Sequence, residues 1–110
     1  NAHATATIQG DAEEAQAIRE IFSDRVPVSS LKGYMGHTLG ASGAIELIAS
    51  LEMMRQGRIF PTRNLSEPAA DCGGIWHVRE PLRRKLTTVV KNAFALGGIN
   101  ASIVLRAYSA

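Results

Sequence analysis

The sequence predicts a layered α/β fold with a mixed sheet, an amphipathic helix, one long buried helix and a C-terminal β-hairpin. Three observations support this prediction. A helical apolar stripe follows Asp11, a second and almost continuously apolar helical pattern follows Gly40, and two β-branched segments, 86–94 and 99–106, flank a short glycine-containing link. Helices and sheets must each cover an apolar face, so this order of elements indicates packed layers.

Composition limits the possible classes of protein. With 110 residues the chain is one domain or part of one. The net charge of +2 is too small and too scattered to indicate nucleic acid, and no apolar run is long enough for a membrane span. The single cysteine, Cys72, excludes an internal disulfide and is consistent with a reducing compartment. Because the chain opens on Asn1 without an initiator methionine, we expect a fragment of a longer protein.

The N-terminal segment is small, hydroxylated and predicted to be a loop. Thr5 and Thr7 alternate with alanines, so in an extended segment both hydroxyls face the same way. Asp11 with Glu14 forms a capping-box pattern, which predicts a helix start at Asp11. We expect this helix to end near Ser23–Asp24 and to cover a sheet face. Its apolar stripe consists of Ala15, Ile18, Ile21 and Phe22.

A glycine-rich turn carries Lys32 and His37 into the long helix. Gly33 and Gly36 permit backbone conformations that a side chain forbids, and Thr38 is a candidate N-cap. His37 would then lie at the positive end of the helix, where a second positive charge is disfavoured. A neutral imidazole there can donate a hydrogen bond to an oxygen that gains negative charge. The alternative, a turn that only starts the helix, is equally open.

Glu46 is the one charged residue in the first part of the long helix, which is predicted to be buried and to end at Gly57. A buried carboxylate needs a partner or takes up a proton. We therefore predict a Lys32–Glu46 ion pair that fixes the turn carrying His37; the alternative is that Glu46 reaches solvent along a groove. A short strand is predicted at 26–30, before the turn. The large apolar residues of the helix are Ile45, Leu47, Ile48, Leu51, Met53 and Met54.

The remaining segments form a loop, a short strand and the hairpin. A loop is predicted at 59–73, and nothing places Cys72 beside a base or a helix N-terminus, so we expect an unreactive thiol. Residues 75–78 are a candidate edge strand with His77 exposed. The link Ala95–Gly98 predicts a hairpin turn, and such a turn can point backbone N–H groups into a cavity, as in an oxyanion hole.

Three motifs occur in order along the chain. The first is Asn1-Ala-His-Ala-Thr-Ala-Thr with Gly10-Asp11, and the second is Lys32-Gly-Tyr-Met-Gly-His with Gly40-Ala-Ser-Gly and Glu46. The third is Asn92-Ala-Phe-Ala-Leu-Gly-Gly-Ile-Asn. Together they resemble the C-terminal part of β-ketoacyl-acyl carrier protein synthases, members of the thiolase-like superfamily. The resemblance implies that 1–110 are the C-terminal portion of a thiolase-like layered α/β/α fold.

That resemblance implies a decarboxylating Claisen condensation in fatty-acid chain elongation, performed by a 3-oxoacyl-[acyl-carrier-protein] synthase. His3 and His37 would face the malonyl group, and Lys32 would be oriented by Glu46. The backbone N–H of Leu96 would form half of an oxyanion hole. No resident cofactor is implied, because the phosphopantetheine arm arrives on the acyl carrier protein. The implied substrate-binding residues are Thr5, Thr7, Phe94 and Leu96.

The resemblance also implies what lies outside these residues. The nucleophilic cysteine belongs to an N-terminal half upstream of residue 1, so the fragment alone would be inactive and would expose apolar surface where that half packs. The full-length enzyme would be a cytoplasmic homodimer. No metal is implied beyond a structural monovalent cation, for which Asn1, Glu46 and Asn92 match the positions in relatives. Four residues depart from the family pattern. Ala4 and Ala95 each replace a glycine, Leu96 replaces a phenylalanine, and Ile99 replaces a threonine.

Two alternatives stay open: a polyketide-type ketosynthase and a non-catalytic partner subunit of the chain-length-factor type. Retention of His3, Lys32 and His37 argues against the silent partner, which has no need of all three. A thiolase without decarboxylation fits poorly, because thiolases use a Cys-His arrangement in place of two histidines.

Overall fold

The computed structural model describes residues 1–108 and contains three helices, six strands and two 3-10 turns in that range. The helices are α1 (Ile8–Phe22), α2 (Lys32–Met35) and α3 (Ser42–Gln56), and the 3-10 turns span Leu39–Ala41 and Ala70–Cys72. The strands are β1 (Pro27–Val28), β2 (Arg58–Ile59), β3 (Trp76–His77), β4 (Leu82–Arg83), β5 (Thr88–Ala95) and β6 (Ile99–Arg106). The α/β class and the C-terminal hairpin are thus confirmed.

The sequence predicts a mixed sheet, and both parallel and antiparallel strand pairs occur. Among the described residues, however, they form three separate two-stranded sheets. β1 pairs with β3 in parallel, whereas β2–β4 and β5–β6 are antiparallel. The β2 strand lies where the sequence predicts a loop, because its two residues pair with β4 far along the chain. Long-range pairing of this kind leaves no local signal in two residues.

The first two residues join the hairpin to β1. The backbone N of Asn1 donates to the carbonyl of Val90 at 2.8 Å, and the amide of Asn92 donates to the carbonyl of Asn1 at 3.0 Å. On the other side, the amide of Ala2 donates to the carbonyl of Ser29 at 2.9 Å. The segment before His3 is therefore held by backbone hydrogen bonds on both sides, which fixes where the loop residues after it begin.

Helix α1 begins at Ile8 and not at Asp11, so the capping-box prediction is wrong. The amide of Asp11 donates to the carbonyl of Thr7, inside the helix, and Thr7 occupies the cap position without a side-chain hydrogen bond. Glu14 is turned inward instead, toward the loop that precedes the helix. The end at Phe22 agrees with the prediction, but Ile21 is 65% exposed and does not belong to the buried stripe.

Helix α3 is not the buried helix that its composition predicts. Its apolar residues Ile45, Ile48 and Leu51 are exposed. The buried face is mostly polar and consists of Ser42, Glu46, Ser50 and Met53. Within residues 1–108, the helix therefore packs its polar stripe inward and leaves its apolar face uncovered. Its end is as predicted, with Gly57 in the left-handed conformation at φ 60° and its amide bonded to Met53 and Met54.

Two small apolar clusters form the core. One contains Leu31, Met53, Ile59 and Val78, and the other contains Ala2, Ile18 and Val28. The second cluster places α1 against β1, as expected for a helix that covers a sheet face. His77 is half-buried, not exposed as predicted, because its Nε2 lies 2.8 Å from the carbonyl oxygen of Cys72. Within residues 1–108, no helix is both long enough and apolar enough to cross a membrane.

Candidate active site

The predicted ion pair is present. Nζ of Lys32 lies 2.6 Å from Oε1 of Glu46, whose side chain is fully buried, and the hydroxyl of Ser42 donates to the same oxygen at 2.6 Å. Lys32 opens α2, which leads to His37 through the left-handed Gly36 at φ 71°. The pair therefore ties the turn to the buried stripe of α3, as the sequence predicts.

A second lysine, Lys91, also pairs with Glu46, and the sequence analysis did not predict it. Nζ of Lys91, on β5, lies 2.7 Å from Oε2 of Glu46, and Lys91 is 3% exposed. Burial raises the pKa of Glu46, but hydrogen bonds from Lys32, Lys91 and Ser42 outweigh burial and hold this pKa below its ordinary value. Burial lowers the pKa of Lys91, and Lys32 adds to that shift while Glu46 opposes it. A lone lysine in a β-branched strand is the signal that would have found this residue.

His37 does not lie at the N-terminus of the long helix. Leu39 has a left-handed φ of 51°, so a 3-10 turn intervenes and α3 begins only at Ser42. Thr38 makes no side-chain cap hydrogen bond. The amide of Leu39 instead donates to Nδ1 of His37 at 3.2 Å. That bond requires an unprotonated Nδ1, so in the neutral ring the proton is on Nε2, where it is available as a hydrogen-bond donor.

His3 and His37 come together although the sequence separates them widely. Their ring centroids are 5.3 Å apart with an interplanar angle of 88°, and the ring of Phe94 lies 5.5 Å from His3. Burial lowers the pKa of His3, and the positive charge of Lys32 lowers it further. Burial and the nearby ammonium thus both favour the neutral form of the His3 imidazole.

Glu14 positions the loop that carries His3, a role the sequence did not reveal. Its carboxylate accepts hydrogen bonds from the amides of His3 at 2.9 Å and Ala4 at 2.8 Å. Nδ2 of Asn92 donates to the same carboxylate at 3.1 Å. A carboxylate that receives two backbone amides and one side-chain amide fixes the loop on α1 and on β5 together.

Thr5 and Thr7 place their hydroxyls side by side, 3.3 Å apart, at the surface. The shared direction agrees with the prediction, but the segment is not extended, because Ala4 and Ala6 have φ values of 32° and 62°. Burial raises the pKa of Asp11, which lies below this loop, and the backbone amides of residues 5–7 offset part of that shift.

The hairpin turn follows β5, whose central residue Lys91 belongs to the ion cluster. Leu96 is fully exposed, and Gly97 and Gly98 have φ values of 88° and 82°, which only glycine adopts without strain. Phe94, on β5, lies two residues before Leu96 and contacts His3. The turn is therefore carried by the strand that also supplies Phe94, Asn92 and Lys91.

The three candidate cation positions are also brought together. Nδ2 of Asn1 donates to Ser50 at 3.0 Å and approaches the carbonyl oxygen of Glu46 at 3.5 Å. The backbone of Asn92 is bonded to Asn1. Both carboxylate oxygens of Glu46, however, already contact lysine ammonium groups.

Among the described residues, the groups around Cys72 raise the pKa of its thiol on balance, although the charge of Arg19 opposes that shift. Cys72 ends a 3-10 turn, and burial raises the pKa of its thiol, with the adjacent Asp71 raising it further. A thiol with a raised pKa is a poor nucleophile at neutral pH. This agrees with the prediction of an unreactive cysteine.

Comparison with known proteins identifies the family. Residues 1–66 match the family described as beta-ketoacyl synthase, C-terminal domain. The chain is 45% identical over 107 residues to 3-oxoacyl-[acyl-carrier-protein] synthase 1 of Escherichia coli K12, which covers 96% of this chain and 26% of that enzyme. The chain thus spans about a quarter of the length of the curated relatives it matches.

Solved structures agree with this assignment. A beta-ketoacyl synthase from Burkholderia phymatum STM815 superimposes with a TM-score of 0.93 at 42% identity, over 97% of this chain and 26% of that one. A type II PKS ketosynthase, in complex with its acyl-carrier protein and bound to the hexaketide, gives 0.92 at 30% identity, over 99% and 28%. Both are ketosynthases of the thiolase-like fold. The chain belongs to the beta-ketoacyl synthase family, as a part of its C-terminal domain.

Proposed function

We propose that the full-length protein carrying this chain is a 3-oxoacyl-[acyl-carrier-protein] synthase, and that His3 and His37 are its two enolate-stabilising residues. One observation carries the proposal: two imidazoles in contact, at 5.3 Å between centroids, beside the buried Lys32–Glu46 pair. Relatives with this printed name are up to 45% identical to the chain. The decarboxylating condensation needs neutral donors at the place where an enolate forms.

In the proposed reaction, malonyl-acyl carrier protein loses carbon dioxide. The bond from the malonyl C2 to its carboxylate breaks, and the electron pair stays on C2 as an enolate. N–H groups of His3 and His37 would donate to the enolate oxygen. The C2 carbon then bonds to the acyl thioester carbon while the C–S bond breaks and the cysteine thiolate leaves. Charge develops on oxygen in the transition state, so neutral donors placed beforehand lower the barrier.

The contacts of the two rings support their proposed role as hydrogen-bond donors. Burial lowers the pKa of His3, and the positive charge of Lys32 lowers it further, so both favour a neutral ring there. The amide of Leu39 occupies Nδ1 of His37 and leaves Nε2–H as the donor. Lys32 therefore acts on the electrostatics of the site, and Glu46 keeps Lys32 in place by their contact at 2.6 Å.

The proposed partner is an acyl carrier protein. The support is the solved ketosynthase complex with its acyl-carrier protein, which shares the fold of this chain. The adjacent hydroxyls of Thr5 and Thr7, at the surface near His3, would hydrogen-bond the phosphopantetheine arm. Phe94 and the turn residue Leu96 would line the thioester site, with the N–H of Leu96 donating to its carbonyl oxygen. The arm is part of the substrate, so no resident cofactor is proposed.

The acyl-carrying nucleophile is proposed to belong to a part of the protein outside residues 1–110. Cys72 is the one cysteine of the chain, and the pKa of its thiol is raised. The apolar face of α3, formed by Ile45, Ile48 and Leu51, is exposed in this structure. We expect the remainder of the protein to cover it, because the chain is about a quarter of its relatives' length. A cytoplasmic homodimer completes the proposal for the full-length enzyme.

A polyketide-type ketosynthase is the second candidate. Its support is the structural match at 30% identity to a type II ketosynthase bound to a hexaketide. The higher identity to fatty-acid enzymes, 45%, favours chain elongation in fatty-acid synthesis. A silent partner subunit is disfavoured because the geometry of both histidines and Lys32 is intact.

The test is a condensation assay on the full-length protein with malonyl-acyl carrier protein and a long-chain acyl-acyl carrier protein. We expect a product longer by two carbons and a protein mass raised by one acyl group when the acyl donor is added alone. His3→Ala and His37→Ala should keep the acylation and lose the condensation. Thr5→Val with Thr7→Val should raise KM for malonyl-acyl carrier protein with little effect on protein acylation by a free thioester.

Two results would contradict the proposal. If the protein takes up no acyl group, it is not a condensing enzyme and the silent-partner alternative gains support. If His3→Ala and His37→Ala condense at the wild-type rate, these rings do not stabilise the enolate. An exposed residue of the same chain, Arg106→Ala on β6, is the matched control and should leave both steps unchanged.

A further inference from the structure

Lys91 reaches from β5 into the buried polar centre of the molecule. Its Nζ lies 2.7 Å from Oε2 of Glu46 and also donates to the carbonyl oxygen of Asn92. Lys32 and Ser42 already occupy Oε1 of Glu46. Each oxygen of a carboxylate with no exposed surface therefore has its own ammonium, and the triad of two lysines and one glutamate carries a net positive charge.

The same place is where the family resemblance puts a structural monovalent cation. The oxygens available to such an ion are Oε2 of Glu46, the carbonyl of Asn92 and Oδ1 of Asn1, which is buried and accepts no hydrogen bond within residues 1–108. Two of these three oxygens contact the Lys91 ammonium. A metal cation on the same oxygens would lie against a buried like charge, which is strongly unfavourable away from water. The residues present do not fit a bound cation.

We propose that the ammonium of Lys91 is a built-in replacement for the monovalent cation, so that the stability of this protein does not depend on potassium or sodium. A lysine ammonium is a compact single positive charge, like these ions, and that of Lys91 contacts two of the three oxygens that would otherwise coordinate them. Because it is covalently attached to β5, it joins that strand to α3 at every salt concentration. The inference does not rest on the proposed function, since its readout is folding stability.

The variant Lys91→Ser tests the replacement in the full-length protein. It removes the ammonium, leaves all three oxygens in place and makes room for an ion. In choline chloride its Tm should fall by several degrees, because Oε2 of Glu46 is left buried without a partner. Potassium chloride at the same ionic strength should restore most of that loss in a saturable way. Wild-type Tm should be the same in both salts.

The matched control is Lys85→Ser, which removes an exposed lysine and makes the same change in charge. Its Tm should be as insensitive to potassium as that of the wild type. The proposal is overturned if Lys91→Ser responds to potassium no more than Lys85→Ser does, or if the wild type itself is stabilised by potassium over choline.

A second measurement covers the case in which Lys91→Ser does not fold. Wild-type crystals grown in rubidium chloride should show no anomalous peak within coordination distance of Oε2 of Glu46. A rubidium peak at that position would show that an ion and Lys91 share the site, and the replacement would be wrong. Loss of condensation activity alone, with these results unchanged, would bear on the proposed function and not on this inference.

Discussion

The carboxylate of Glu46 and the ammonium of Lys32, 2.6 Å apart, connect the buried polar stripe of α3 to the turn that carries His37. The connection accounts for the buried polar stripe of α3, which consists of Ser42, Glu46 and Ser50. The interior next to the hairpin is a charge cluster that holds the polar side of α3, while the apolar side of the helix is exposed in this chain.

Glu46→Gln should destabilise the full-length protein substantially. The substitution keeps the size of the side chain but leaves two buried ammonium groups without their counter-charge. Breaking a buried ion pair in this way costs roughly 3–5 kcal/mol of the free energy of unfolding. Urea unfolding followed by circular dichroism measures it. Glu52→Gln, on the same helix but in an exposed pair with Arg55, is the control and should leave the unfolding curve nearly unchanged.

The same carboxylate predicts how stability depends on acid. The pKa of Glu46 in the folded protein lies below its ordinary value of 4.5, so the unfolded chain takes up the proton first as pH falls. The ionised Glu46 carboxylate contributes its full stabilisation at pH values above 4.5. That stabilisation is lost as the pH falls through the lower pKa that Glu46 has in the folded protein. The stability difference between wild type and Glu46→Gln should therefore shrink in that window, and a constant difference down to full acid unfolding would contradict the assignment.

Ala6→Gly should stabilise the protein. Ala6 is exposed and has a left-handed φ of 62°, a conformation that costs a residue with a Cβ roughly 1–2 kcal/mol. Glycine removes that strain but loses more chain entropy on folding, so the net gain should be about 0.5–1 kcal/mol. Ala44 is exposed on the regular helix α3, and Ala44→Gly should lower the free energy of unfolding by about 1 kcal/mol. Equal effects of the two substitutions would refute the strain argument.

Cys72 should be dispensable. Burial and the neighbouring Asp71 raise the pKa of its thiol, so iodoacetamide should alkylate it more slowly in the folded protein than in urea, as followed by mass spectrometry. Cys72→Ser should keep both acylation and condensation in the full-length protein. Loss of acylation in that variant would mean that the nucleophile lies in this chain after all.

Local chemistry was enough to predict much of the site. The helix that ends at Gly57, the hairpin and the Lys32–Glu46 pair all follow from nearby residue types: a left-handed stop, β-branched strands around glycines, and a lone carboxylate that needs a partner. The resemblance in three motifs added the roles of His3 and His37, and the structure confirms that the two rings are in contact.

Other features depended on distant parts of the chain. The local patterns predict helix starts at Asp11 and Thr38. In the structure, α1 instead begins at Ile8, after a positive φ at Ala6, and α3 begins at Ser42, after a positive φ at Leu39. Nothing near Glu14 indicates that its carboxylate will receive the amides of the His3 loop. These interactions are contacts between segments, and a local pattern contains no information about them.

The sequence by itself determined the α/β class and, through the resemblance of its three motifs, the family and the residues proposed to carry the chemistry. Only the tertiary structure decided which face of α3 is buried and which lysines neutralise Glu46. The physical reason is that a fully buried carboxylate takes its partners from whatever strand or turn packs beside it, and here β5 supplies Lys91 from the far end of the chain.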